Sequence, residues 1–211
     1  MTDTSPADSG ESASTGGPSG EEPRGGAREA AGDGQGAGWL LLVYRVPSEP
    51  TRLRAAVWRR LKSLGAIYLQ NSAAALPASV AAERALRRLR REILDMSGTA
   101  VLLSCAVLAG EQGVLAAFQA ARDDEYEEIV DKCHDFIAEV QKEYVASHFS
   151  YAELEENEVY LVKLRNWLGR VRERDVFGAA GRAQAEQELA SCEQELERFA
   201  ARVYEEEAEG R

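Results

Sequence analysis

The sequence predicts an α+β protein: a ferredoxin-like split βαβ sheet domain followed by an antiparallel helical bundle. Short apolar runs and amphipathic helical stretches alternate in the order β-α-β-β-α-β until about residue 109. Beyond Gly110 the apolar residues recur only at helical spacing. Residues 1–37 hold almost no apolar side chain larger than alanine, so burial cannot offset the entropy of ordering them. We therefore predict a disordered tail (1–37), a ferredoxin-like α+β domain (38–109) and an acidic helical bundle (110–208).

The elements of the first domain follow from the spacing of its apolar residues. A β-prone run after Gly38 stops at Pro47 and predicts the first strand. Ser48 and Pro50 predict an N-cap and an early-helix proline for the following helix, which ends at Gly65. The remaining predicted elements are strands at 66–70, 73–76 and 99–108, and a helix at 79–97.

Four helical stretches are predicted after residue 110. A short helix covers 111–121, and a longer one covers 123–147. Ser150 and Glu153 have the spacing of a capping box, which predicts where the next helix begins. After the break between Gly178 and Gly181, the last helix carries apolar residues at alternating spacings of three and four. These stripes need partners, so the three long helices are predicted to form an antiparallel bundle.

Charge is distributed unevenly along the chain. The net charge is −11, but residues 39–122 carry 12 basic against 5 acidic side chains, whereas residues 123–211 carry 11 against 24. A basic module is therefore followed by an acidic one. The acidic half could mask the basic surface, attract a basic partner or keep the protein in solution.

The two helices of the first domain are rich in arginine, and the predicted topology places both on one face of the sheet. Arginine forks suit phosphates and small oxyanions. The surface could bind nucleic acid, bind a small anion, or simply be a solvated outer face. The candidate anion- or nucleic-acid-binding residues are Arg45, Arg52, Arg59, Arg60, Lys62, Arg87 and Arg91.

The sequence offers no constellation for catalysis, metal binding or a cofactor. Cys105, Cys133 and Cys192 are odd in number and widely spaced, which argues against a disulfide framework and a zinc ribbon. Cys133 and His134 are adjacent, so on a helix they diverge by about 100° and cannot chelate one metal together. Nucleophile, Walker and dinucleotide motifs do not occur. We expect a non-enzymatic protein without cofactors.

The sequence also predicts the compartment. The N-terminus shows no basic region followed by an apolar one, so no signal peptide is expected. The longest apolar run, near residues 100–109, is about half of what a membrane span needs. A cytoplasmic protein without membrane contact is predicted.

Several separated blocks carry a family resemblance: residues 39–47, 58–66, 69–72, 76–77, 121–126, 149–157, 163–168, 172–178 and 199–204. Together they resemble the N-terminal domain of the chromate resistance protein ChrB. The resemblance implies a regulator of chromate resistance that responds to the chromate oxyanion and acts on transcription, with DNA as a partner. It also implies a second, C-terminal domain in full-length members, which this sequence, ending at Arg211, does not contain.

A fainter resemblance is to the middle domain of the PaaX transcriptional repressors and to the small ferredoxin-like subunit of the CRISPR adaptation complex. Metal-dependent nuclease relatives of that subunit carry an aspartate after the first strand, where this sequence has Tyr44-Arg45. An arginine there would repel a cation, so no nuclease activity is expected. The leading expectation is a ChrB-type regulator. The alternative is a dimeric protein-interaction scaffold that does not contact DNA directly.

Overall fold

The computed structural model describes residues 38–209, so the predicted disordered tail (1–37) lies outside the described residues. Four strands form one sheet in the order β2-β3-β1-β4, and every pairing is antiparallel. This is the strand order of the split βαβ pattern, and it confirms the predicted α+β fold. The strands are β1 (Trp39–Arg45), β2 (Ile67–Gln70), β3 (Ala73–Pro77) and β4 (Thr99–Cys105).

Two helices, α1 (Thr51–Ser63) and α2 (Val80–Asp95), pack on one face of the sheet. Side chains alternate along a strand, so every second residue of β1 points toward these helices. Leu42 of β1, Leu61 of α1 and Ile93 of α2 are completely buried there. Full burial of such a side chain contributes about 1.5–3 kcal/mol, which makes this cluster the main support of the domain. It consists of Leu40, Leu42, Val57, Leu61, Ala74, Leu76, Leu86, Leu89, Ile93 and Ala100.

Two details of the first domain differ from the predictions. The predicted cap of α1 is wrong: Pro50 itself occupies the N-cap position, and no side chain caps the helix. Ser48 stands two residues upstream, outside capping position. The fourth strand ends at Cys105 rather than at residue 108, because Trp39, the first residue of β1, pairs with Cys105 and offers no partner beyond it.

The C-terminal half contains three long helices, α3 (Glu111–Ala146), α4 (Tyr151–Arg174) and α5 (Arg182–Glu209). The separate short helix predicted at 111–121 is wrong, because it is the beginning of the 36-residue α3. No proline occurs between Gly110 and Ser147, so nothing interrupts the backbone hydrogen bonds. The predicted start of α4 is confirmed, since Ser150 is its N-cap and Ser150 Oγ accepts a hydrogen bond from Glu153 N at 3.3 Å.

Helix α3 belongs to both halves of the molecule. Its first turns place Phe118 against Trp39 and Ile67, on the sheet face opposite α1 and α2. Its later turns pack with α4 and α5 around a core that includes Tyr126 and Phe199. The sheet is therefore covered by helices on both faces, but on the second face only in part. Within residues 38–209, no helix is long and apolar enough to cross a membrane.

Candidate functional site

Helix α1 presents a row of cations without a single acidic residue. Arg52, Arg59, Arg60 and Lys62 are all exposed on it. Among residues 38–209, none of these four has a carboxylate within 4 Å. Lys62 lies over the ring of Trp58, with its Nζ 5.6 Å from the ring centroid. The side of α1 turned away from the core is therefore basic and open to a ligand.

Helix α2 adds a second basic row on the same side of the sheet. Arg84, Arg87 and Arg91 recur at i, i+3 and i+7, which places them on one exposed stripe. Arg87 pairs with Glu83, with its Nη2 2.6 Å from the carboxylate oxygen. Arg90 is occupied elsewhere, since its Nε donates to Ala100 O of β4 at 3.0 Å. We give the name basic surface to the exposed cations of α1 and α2 other than Arg54, which lines a cleft described below, and Arg90: Arg52, Arg59, Arg60, Lys62, Arg84, Arg87, Arg88 and Arg91.

The cations of the bundle differ from those of α1 in their ion pairing. Most basic side chains of α3, α4 and α5 form ion pairs, all with carboxylates of the bundle itself. Arg165 with Glu193, at 2.6 Å between Nη2 and Oε1, is an example. Over the described part of the chain, no bundle carboxylate lies within 4 Å of a cation on the basic surface. The carboxylates of the bundle thus pair with the bundle's own cations and with none of those on the basic surface, where Arg87 pairs with Glu83 of its own helix.

Arg45, a predicted member of the same site, is positioned apart from it. It is the last residue of β1 and pairs with Thr99, which puts it on the sheet face opposite α1 and α2. At this end of the sheet, Arg45 lines a cleft of about 600 Å³ together with Arg54, Trp58 and the β2–β3 turn.

We call this cleft the tyrosine cleft, because two tyrosines meet inside it. The hydroxyls of Tyr44 and Tyr68 are 3.2 Å apart and share a hydrogen bond. Burial, together with this bond, raises the pKa of Tyr68 above its ordinary value, so the phenol stays protonated at neutral pH. The complete lining is Tyr44, Arg45, Val46, Arg54, Trp58, Tyr68, Asn71 and Ser72, with no acidic residue.

A buried charge cluster joins the sheet domain to the bundle, and sequence reasoning missed it. Arg122 of α3 is only 2% exposed. It donates from Nη1 to Gly65 O at 2.9 Å and pairs with Glu125 at 2.8 Å. Arg174 of α4 pairs with the same Glu125 and donates to Ser63 O at 3.1 Å. Both arginines thus bind backbone carbonyls where α1 leads into β2.

The cluster continues beside Tyr126. Its hydroxyl donates to Asp175 Oδ2 at 3.1 Å, and Asp175 Oδ1 accepts from Ala179 N at 2.9 Å. Burial is the main cause that raises the pKa of Tyr126, and the Asp175 carboxylate raises it further. These contacts close the turn between α4 and α5. Their role is structural, because the polar atoms are directed at one another.

The cysteines do not form a site. Cys133 and Cys192 are buried between α3 and α5, and the Cys192 thiol donates to Cys133 O at 3.4 Å. Cys105 is half-buried at the end of β4. Among residues 38–209, no group of three or more His, Cys, Asp or Glu side chains is arranged to hold a metal ion.

Comparison with known proteins places the molecule in a family. The family model described as "Protein ChrB, N-terminal" matches residues 54–210. The chain belongs to this family. Protein ChrB of Cupriavidus metallidurans strain CH34 is 27% identical over 150 residues, which covers 70% of this chain and 43% of that protein. The match therefore spans less than half the length of this relative.

The ChrB match begins inside α1 and extends through α5. It includes most of the basic surface, the buried charge cluster and the whole bundle. The resemblance proposed from separated sequence blocks is thereby confirmed at the level of the family. Two of those blocks, residues 121–126 and 172–178, supply Arg122, Glu125, Arg174 and Asp175, so they lie at the junction of sheet and bundle.

Proposed function

We propose that this ChrB-family chain is a non-enzymatic regulator related to chromate resistance, which contacts DNA through the basic surface of α1 and α2. Family membership supports the link to chromate resistance. The observation that carries the DNA contact is the unequal pairing of charges. Cations of the bundle are held by neighbouring carboxylates, whereas those of α1 lack such partners within residues 38–209. Unpaired arginines on an exposed helix face are free to meet phosphates.

Charge reversal on the basic surface tests this proposal. Changing Arg59, Arg60, Arg87 and Arg91 to glutamate should abolish binding of a DNA probe taken from the gene's own promoter region. Each phosphate contact contributes about 0.9 to the slope of log K against log salt for duplex DNA. The wild-type slope should therefore be steep, and the variant's slope shallower by about 3–4 if all four residues meet phosphates. Circular dichroism checks that the variant is folded.

A matched control comes from α4, which carries the exposed cations Lys163 and Arg170 outside the basic surface. Reversing these two should leave the salt slope of the wild type unchanged. A quadruple variant that binds as tightly as wild type, with the same slope, would refute the contact through α1 and α2. If chromate is the effector, sub-millimolar chromate should weaken DNA binding, and sulfate should match it only if charge alone is recognised.

A second candidate function is the dimeric scaffold, and the uncovered part of the sheet favours it. Val43, Val101 and Leu103 are 41%, 57% and 43% exposed and share the face that α3 covers only in part. Strand β4 is an edge strand without a charged residue or a proline. Native proteins usually protect such an edge, so its partner is proposed to be the same strand of a second copy.

Light scattering coupled to size exclusion tests the dimer. A wild-type dimer that becomes a monomer when Val101 and Leu103 are changed to lysine would support it, because both side chains face solvent in one copy. A wild-type protein that stays monomeric at all concentrations up to about 100 μM would exclude a dimer with a dissociation constant in the micromolar range or below.

A further inference from the structure

The tyrosine cleft has the chemistry of an anion site, and it adjoins the basic surface at α1 without sharing a cation with it. Arg45 and Arg54 both line it, and neither has a carboxylate within 4 Å in the described part of the chain. A guanidinium that lacks an internal partner keeps all its donors available for an incoming oxyanion. Helix α2, with Arg87 and Arg91, contributes no residue to the lining. Nucleotide binding in the cleft can therefore be tested in variants of α2, which change the basic surface but not the lining.

The two phenols add neutral hydrogen-bond donors. One hydroxyl of the Tyr44–Tyr68 pair donates to the other at 3.2 Å, which leaves the second hydroxyl hydrogen free to donate elsewhere. The Tyr68 phenol, whose pKa is raised mainly by burial, remains uncharged at neutral pH and does not repel an anion. The side chains of Asn71 and Ser72, on the turn between β2 and β3, add further polar groups at the mouth.

The cleft is larger than a bare oxyanion needs. It encloses about 600 Å³, within the range of roughly 300–1,000 Å³ that small organic ligands occupy. A tetrahedral oxyanion occupies only about the volume of a few water molecules, each of which takes up about 30 Å³. The rest of the space adjoins the ring of Trp58, which is half exposed. Lys62 lies over this ring, so the face not covered by Lys62 is the surface for stacking.

We propose that the tyrosine cleft binds a nucleotide, with its phosphate between Arg45 and Arg54 and its base against the ring of Trp58. The phosphate meets the two guanidiniums and the free phenol hydroxyl. The base gains stacking from the indole, which recognises any planar heteroaromatic ring. The same chemistry is offered by a free nucleotide and by the phosphorylated end of a nucleic acid strand.

Calorimetric titration of the full chain tests the site with AMP, GMP, dTMP and inorganic phosphate as probes. We expect the nucleotides to bind saturably and inorganic phosphate to bind at least tenfold more weakly, because it lacks the ring. Arg54→Gln should weaken nucleotide binding about tenfold or more, the usual effect of losing a charge-assisted hydrogen bond. Trp58→Leu should weaken it by roughly 5- to 100-fold through lost stacking.

Arg91→Gln is the matched control, since it removes an exposed arginine of the basic surface and should leave nucleotide affinity unchanged. Arg54 and Trp58 are both exposed, so their variants should keep the wild-type melting temperature. A 5′-phosphorylated oligonucleotide that binds more tightly than free nucleotides identifies a strand end as the source, and the reverse order identifies a free nucleotide.

Three results would overturn the proposal. The first is the absence of saturable nucleotide binding up to about 10 mM, weaker than any useful affinity. The second is equal affinity for inorganic phosphate and nucleotides, which would leave no role for Trp58. The third is unchanged affinity in both Arg54→Gln and Trp58→Leu. Loss of DNA binding in the charge-reversal variant with intact nucleotide binding would show that the two sites function separately.

Discussion

Replacing Arg122 by methionine should destabilise the protein by about 2–4 kcal/mol. The substitution removes the 2.9 Å hydrogen bond to Gly65 O and the 2.8 Å ion pair with Glu125. Breaking a buried pair from one side costs about 3–5 kcal/mol, because the remaining charge is left without a partner. Here Arg174 still pairs with Glu125, which reduces that penalty. Methionine also preserves much of the packing on the Phe118 ring, whose centroid is 4.8 Å from the guanidinium carbon.

Urea unfolding followed by circular dichroism measures this difference. The midpoint should fall while the slope of free energy against urea stays constant, since the exposed surface of the unfolded chain barely changes. For a domain of this size the melting temperature should drop by roughly 2–4 °C per kcal/mol, so by about 6–12 °C for a 3 kcal/mol loss.

The matched control is Arg165→Met, which breaks the pair with Glu193. Both side chains are well exposed, at 56% and 39%, so the loss should be about 0–1 kcal/mol. An Arg122→Met loss below about 1 kcal/mol, indistinguishable from this control, would refute the idea that the buried cluster holds the sheet and the bundle together.

Three other predictions follow from the contacts. Gly98→Ala should cost about 1–3 kcal/mol in thermal unfolding, because its Cβ would lie 2.6 Å from Arg45 O, whereas Gly113→Ala, with open space around it, should be neutral or slightly stabilising. Cys105 should react first with a thiol reagent, because it is only half-buried. Cys133 and Cys192 are buried, so they should react only at the rate at which the protein unfolds locally, and equal rates for all three would contradict their burial. Tyr68 and Tyr126, whose pKa values are raised, should stay protonated at the pH at which tyrosines of ordinary pKa ionise. Tyrosine in the unfolded chain titrates near pH 10. The contribution of these two raised pKa values to stability is therefore complete below about pH 10 and is lost as the pH rises above it. Full ionisation of both tyrosines at pH 10–11 in the folded protein would contradict the two contacts.

The order of strands and helices could be predicted from the sequence because local propensities and tertiary contacts favour the same elements. Alternating apolar runs, the helical stripes and the Ser150 cap all predict elements that the structure contains. The prediction failed where a local rule competes with context. Arg122 and Asp123 look like a polar break in a helix, yet α3 continues through them because Arg122 finds partners in the sheet domain.

A signal for Arg122 was nonetheless present. Phe118, Arg122, Tyr126 and Ile129 follow one helical stripe at spacings of four, four and three, and all four are buried. An arginine on a core stripe implies a buried partner, as Glu125 and Gly65 O prove to be. Glu125 lies three residues further along the same helix and could be predicted from the sequence as a partner. Gly65 O could not, because that contact depends on how α3 crosses the sheet.

The tyrosine cleft was beyond sequence reasoning for a similar reason. Its residues come from the end of β1, from α1, from β2 and from the β2–β3 turn, which only the folding of the whole domain brings together. Arg45 was identified as an anion-binding candidate, but the strand register assigns it to this cleft and to the opposite sheet face from α1 and α2. Composition alone would assign every arginine of the domain to one site. In the structure, the alternation of side chains along β1 places Arg45 on the sheet face opposite α1 and α2.

The distribution of ion pairs also resolves how a chain of net charge −11 can present a basic surface. Net charge would govern binding only if all charges acted together, but at physiological salt interactions between exposed charges fade beyond about 8 Å. Bundle carboxylates such as Glu193 and Glu186 are engaged by the bundle's own arginines. Helix α1 contains five cations and no acidic residue. Only Lys62 among these cations shares a cleft with bundle carboxylates, which are Asp124, Glu125 and Glu128, so the field over the rest of α1 is dominated by its own cations. A phosphate approaching this helix would encounter attraction despite the overall negative charge, and the attraction should weaken steeply with salt.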